Sequence, residues 1–84
     1  TGSIVDSDIG GPGNTHGAFG IYASAGTLSS LNITGNRIGG FNAGIYLDNG
    51  TSGYNVHDNF YLGTGITNNS TDLVNLSSGG NSVW

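Results

Sequence analysis

One motif returns three times along the chain: Ile4-Val5-Asp6-Ser7-Asp8-Ile9-Gly10-Gly11, Ile33-Thr34-Gly35-Asn36-Arg37-Ile38-Gly39-Gly40 and Val56-His57-Asp58-Asn59-Phe60-Tyr61-Leu62-Gly63. Each copy reads as a short strand running into a polar turn. A second run follows each, as Gly20-Ile21-Tyr22-Ala23, Gly44-Ile45-Tyr46-Leu47 and Gly65-Ile66-Thr67-Asn68. The recurring unit therefore holds two strands separated by a glycine-rich corner. The step from Ile4 to Ile33 is 29 residues and that from Ile33 to Val56 is 23. A unit of this size cannot bury its own apolar face, so periods of roughly 20 to 50 residues mark arrays whose copies bury one another. The spacing predicts a solenoid.

Successive side chains of a strand point to opposite faces. In Leu31-Asn32-Ile33-Thr34 the inward pair is Leu31 and Ile33; in Tyr54-Asn55-Val56-His57 it is Tyr54 and Val56. Stacking the copies gives one column of Ile4, Ile33 and Val56 and another of Ile21, Ile45 and Ile66, with Ala23 beside Leu47. Coils are expected to begin near residues 4, 31 and 54, with a partial fourth near 80 in Gly79-Gly80-Asn81-Ser82-Val83-Trp84. Candidates for a third strand are Leu28, Thr51 and Leu73-Val74-Asn75-Leu76. Helix is unsupported, because glycine interrupts every stretch and no window carries apolar residues at i, i+3, i+4 and i+7. Ser7, Asn36 and Asn59 share a position, and a stacked column there is a corner device, since Asn tolerates left-handed backbone and bonds its neighbours in turns. Gly20, Gly44 and Gly65 are expected to supply positive φ at the next corner.

The chain has 84 residues with 17 Gly, one Pro, one Lys or Arg and no Cys. All five acids are Asp, and the formal net charge is −4. Such a surface does not seek phosphate backbones, which argues against nucleic-acid binding. No run approaches the roughly 20 apolar residues of a membrane span, so membrane insertion is not expected. Without Cys there is no thiolate metal site, and no cofactor or metal is expected. Three coils at about 4.8 Å would make a stack only about 15 Å tall with sheet edges at both ends. Caps, further coils or partner chains must cover those edges, which suggests a fragment of a longer solenoid and a subunit that associates with others.

The residues Leu31-Asn32-Ile33-Thr34-Gly35-Asn36-Arg37-Ile38 followed by Asn42-Ala43-Gly44-Ile45-Tyr46-Leu47 resemble the right-handed, single-stranded parallel β-helix of the pectate-lyase-like superfamily. The resemblance runs from about Ile4 to Ile66. Within that superfamily the richness in Gly, Asn, Ser and Thr, the lack of Cys and the low charge are most similar to phage tailspikes and tail-fibre depolymerases. The resemblance implies an all-β fold of about three coils, a homotrimer, and a shaft that recognises bacterial surface polysaccharide, in a phage tail or a secreted protein. The alternative it implies is a polysaccharide-degrading glycosidase or lyase. The chain departs from the enzymes in having no Glu and no Lys and in lacking a matching carboxylate cluster with a basic partner.

Asp6 and Asp58 occupy one position in two coils, with Gly35 between them, and are candidate catalytic carboxylates. Two coil rises, about 9.6 Å, barely reach the inverting range of glycosidases, about 6.5–9.5 Å; the plain alternative is turn Asp bonded to local backbone. His57 should point outward beside Asp58 and above Thr34, as a general base or sugar-bonding group; a lone exposed His is more often neither. Asp8 stacks on Arg37, which suggests a surface ion pair. Tyr22 and Tyr46 each follow an inward Ile and should stack outward, as a sugar contact, a subunit interface, or a pair that simply stabilises the sheet. His16 lies in the insertion that lengthens the first coil, in a stretch too glycine-rich to name a ligand. Sequons at Asn32, Asn49, Asn68, Asn69 and Asn75 follow from composition alone.

Overall fold

A computed structural model describes residues 2–14, 16–24, 31–61, 67–77 and 80–84. Nine short strands follow in order: β1 (Gly2–Val5), β2 (Asp8–Gly10), β3 (Phe19–Ala23), β4 (Leu31–Thr34), β5 (Arg37–Gly39), β6 (Ala43–Leu47), β7 (Asn55–His57), β8 (Thr71–Asn75) and β9 (Ser82–Val83). No described residue is helical. The strands form three sheets, ordered β1-β4-β7-β9, β2-β5 and β3-β6-β8, and every strand pair is parallel. The chain visits the three sheets in turn and then returns to the first. Parallel neighbours need a connection of a dozen residues or more, and one pass through the other two sheets supplies it.

Register follows the repeat. Ile4 pairs with Ile33, Ile33 with Val56, and Val56 with Val83. Ile21 pairs with Ile45. The third place in that column belongs to Leu73, where the sequence pattern put Ile66, which lies outside the described residues. The Leu73-Val74-Asn75 run is thus the last strand of the third sheet and not a separate one. The remaining sheet comes from residues just past the polar turn, with Asp8, Ile9 and Gly10 on Arg37, Ile38 and Gly39, and Phe60 bridged to Arg37. Thr51 is a buried corner residue, and Leu28 lies outside the described residues.

Aliphatic side chains from all three sheets meet along the axis. Ile33, Ile38, Ile45 and Leu47 are fully buried, joined by Val56, Tyr54 and Phe41. Two kinds of corner shape this core. At the first, Asp6 and Asp58 have φ of 51° and 56° and Gly35 has 73°, so the column read as Asp-Gly-Asp is a left-handed position that Asp tolerates and Gly prefers. At the second, Gly20 and Gly44 lie inside strands without positive φ, contrary to the expectation; Gly65 is outside the described residues. What requires glycine there is close approach: a Cβ on Gly20 would sit 2.6 Å from the Gly44 carbonyl, and one on Gly44 would sit 2.7 Å from the Asp72 carbonyl.

Candidate functional site

The outer face of the third sheet carries an aromatic cluster. Tyr22 and Tyr46 stack one pass apart, with ring centroids 5.4 Å apart and planes 25° apart. Phe19 joins both, at 5.6 Å from Tyr22 and 4.8 Å from Tyr46. Tyr22 remains 51% and Phe19 40% exposed, so the cluster is open to a ligand or partner on one side. The Tyr22 hydroxyl donates to Asp48 Oδ2 at 3.0 Å, which pushes the Tyr22 phenol above its usual value. Asp48 ends the same strand path as Tyr46, which fixes the carboxylate at the rim of the cluster. Phe19 and Asp48 escaped the sequence reading. Phe19 and Tyr22 stand three positions apart, and strict alternation places such a pair on opposite faces. Pairing with β6 keeps one register along the strand, Phe19 with Ala43 and Ile21 with Ile45, yet the Phe19 ring lies against both tyrosines.

The outer face of the first sheet carries His57, Asp58 and Trp84. His57 pairs with Thr34 in register, its Nδ1 lies 2.8 Å from Asp58 Oδ2, and its ring lies flat against Trp84 with centroids 4.4 Å apart. Trp84 is 69% exposed and is held by its backbone N–H, which donates to the Val56 carbonyl. Aligning Val83-Trp84 with Val56-His57 predicts this stack, because Val83 sits on Val56. Asp6 is not brought to His57 and Asp58. It packs over the neighbouring Gly35, whose Cβ would lie 2.5 Å from Asp6 Oδ1. The two candidate carboxylates thus flank a glycine in one column, two rises of about 4.8 Å apart.

Asp8 and Arg37 form the expected ion pair, with Arg37 Nε donating to Asp8 Oδ1 at 2.7 Å and one guanidinium NH2 to Oδ2 at 3.3 Å. The guanidinium holds the Asp8 carboxyl below its ordinary range. It also occupies the chain's one Lys or Arg, so the aromatic face has no cationic neighbour. No group of His, Cys, Asp or Glu that would hold a metal ion occurs among the described residues, and no described helix is long and apolar enough to cross a membrane.

The Asn column is a more extensive device than its sequence showed. Asn36 Oδ1 accepts the Ser7 N–H while its Nδ2 donates to the Ile4 carbonyl. Asn59 repeats this on Asn36 and Ile33. Asn69 does the same for Phe41 and Ile38, and Asn81 for Tyr54, with its second bond to Thr51 Oγ1. In every case one side-chain amide closes the pass beside it at a residue and at the residue three before. A carboxamide is suited to this because it offers an acceptor and a donor side by side, and buried backbone groups at a corner need both. Asn69 and Asn81 went unseen because they stand outside the repeated octapeptide. A shallow depression lies near this ladder, lined by Asn59, Phe60, Tyr61, Asn68, Asn69 and Asp72; burial, and Asp72 after it, raise the Tyr61 phenol there.

Comparison of the chain with protein-family models, with curated proteins and with solved structures finds no match.

Proposed function

We propose that the chain is a segment of a right-handed, single-stranded parallel β-helix of the pectate-lyase-like kind, similar to the shaft of a phage tailspike, that assembles as a homotrimer and recognises bacterial surface polysaccharide. The handedness rests on the general rule that parallel crossovers are right-handed in about 98% of cases. The observation that carries the functional reading is the half-exposed cluster of Phe19, Tyr22 and Tyr46 with Asp48 at its rim. Aromatic rings present apolar faces and edges to the C–H surfaces of sugars, and a carboxylate accepts from sugar hydroxyls. With a net charge of −4 and the single Arg paired elsewhere, this face suits neutral glycans better than uronate polymers.

Light scattering behind size exclusion, followed by affinity electrophoresis in gels containing a neutral bacterial polysaccharide, tests the reading. The expected result is a trimer that the glycan retards, with retardation lost in the Tyr22→Ser, Tyr46→Ser double variant. A folded monomer that runs freely in every polysaccharide gel contradicts it. The 2.8 Å contact of His57 with Asp58 favours a second reading, in which the full-length protein depolymerises the polysaccharide with His57 and Asp58 as acid and base. Depolymerisation abolished by Asp58→Asn, with retardation intact, would select that reading.

A further inference from the structure

The turn that leaves β6 is Asp48-Asn49-Gly50-Thr51, and its Asn differs from those of the corner ladder. Asn49 and Gly50 are both exposed, Gly50 has a φ of 90°, and no hydrogen bond to the Asn49 carboxamide occurs among the described residues. The contrast is with Asn36, Asn59, Asn69 and Asn81, whose carboxamides are each held by backbone or hydroxyl groups of the neighbouring pass. Asn69 and Asn81 precede serines and Asn49 alone precedes glycine. A glycine offers its backbone nitrogen to the preceding side chain without the obstruction of a Cβ.

We propose that Asn49 is a site of spontaneous covalent modification, in which the chain converts its own Asn-Gly step to an aspartyl and isoaspartyl mixture. The Gly50 backbone nitrogen, on losing its proton, attacks Asn49 Cγ. A C–N bond forms, the Cγ–Nδ2 bond breaks, and the side-chain nitrogen leaves as ammonia with the proton returned from solvent. Water then opens the cyclic imide at either carbonyl, so the net change is replacement of NH2 by OH, with no oxidant or reductant. Opening at the backbone carbonyl routes the main chain through the former side chain and lengthens it by one carbon.

The consequences are local and directional. The Asp48 carboxylate accepts the Asn49 N–H through Oδ1 at 2.8 Å and the Tyr22 hydroxyl through Oδ2 at 3.0 Å. A new carboxylate at position 49 therefore places like charge beside the rim of the aromatic cluster. The turn is closed by the Thr51 N–H and Thr51 Oγ1, both donating to the Asp48 carbonyl, and Thr51 in turn receives Asn81 and Ser77. An added backbone carbon at residue 49 disturbs the seat on which the following pass is closed.

The test is to hold the folded protein in mildly alkaline buffer at body temperature and to map its peptides over time by mass spectrometry with isoaspartate detection. Asn49 is expected to convert an order of magnitude faster than Asn69 or Asn81, and melting temperature should fall as conversion proceeds. In urea, where the ladder is released, Asn69 and Asn81 should accelerate while Asn49 changes little. Asn49→Ser should remove the time-dependent loss of stability, and Gly50→Ala should slow conversion; the Ser variant serves if the strain at Gly50 prevents the Ala variant from folding. An Asn49 peptide that stays intact while those of Asn69 or Asn81 convert overturns the proposal, as does an Asn49→Ser variant that ages at the same rate.

Discussion

The central pass of the chain and the two outer passes use the same side chains and bury them to different depths. Ile33, Ile38 and Ile45 are fully buried, whereas Ile4 and Ile9 on one side and Leu73 and Val83 on the other are only partly covered. Each of the central residues has a register partner on both sides, or, for Ile38, a strand on one side and the Phe60 backbone on the other. Each of the outer four has a partner on one side only. For these residues burial follows stacking; Ile21, whose one register partner is Ile45, is an outer residue that is nonetheless buried. In such arrays stability is close to a sum of per-unit and nearest-neighbour terms, and the outer passes lack one of those neighbours.

Truncating a core residue in each region gives the largest separation. Ile33→Ala should cost about 3–4 kcal/mol, as for a fully enclosed aliphatic that leaves a cavity. Ile4→Ala should cost about 1 kcal/mol, because part of that side chain is already in water. Urea unfolding of the two variants checks this, and equal losses would break the comparison.

The corner ladder sharpens it at smaller magnitude. Asn36→Ala leaves the Ser7 N–H and the Ile4 carbonyl without partners at a site that is fully buried, and should cost about 2–3 kcal/mol. Asn81→Ala acts where the stack is more open and should cost about 1 kcal/mol. Thermal melts of the two variants under one set of conditions read the difference.

The smallest effect belongs to the Asp8–Arg37 pair on the outside. The carboxyl of Asp8 is lowered from 3.8 in the fold, chiefly by its hydrogen bond to Arg37. A lowered folded value means that the ionised form is favoured by folding. The contribution is therefore present above about pH 4 and is lost as pH falls through the lowered value. Both side chains are at least half exposed, so salt should suppress the effect. Melting curves from pH 6 down to about pH 2 should converge for the wild type and Asp8→Asn, and added salt should narrow the gap at the upper end.

The columns of Ile4, Ile33 and Val56 and the Tyr22–Tyr46 stack were legible in the sequence because period-2 alternation and a repeated octapeptide fix both face and register. The strand after the polar turn was not, since Ile9 and Ile38 sit in three-residue segments too short to show alternation. The place of Leu73 was hidden by variable spacing between passes: Ile66 fits the local Gly-Ile pattern, but pairing in the third sheet goes to Thr71–Asn75. Gly20 and Gly44 were recognised as corner residues, but the reason for glycine was a carbonyl in the adjoining pass, which local pattern does not reveal. Of the outward groups, Phe19 was concealed because its odd spacing from Tyr22 assigns it to the opposite face, and Trp84 because it stands far along the chain from the His57 it covers.

Native-state hydrogen exchange read residue by residue tests most directly whether neighbours on both sides hold the stack together. Protection should be greatest at the paired amides of Ile33, Ile38 and Ile45 and decline toward β1 on one side and β9 on the other, following the number of strands stacked on each. Uniform protection across β1, β4 and β7, or a maximum in β1 or β9, would contradict the account.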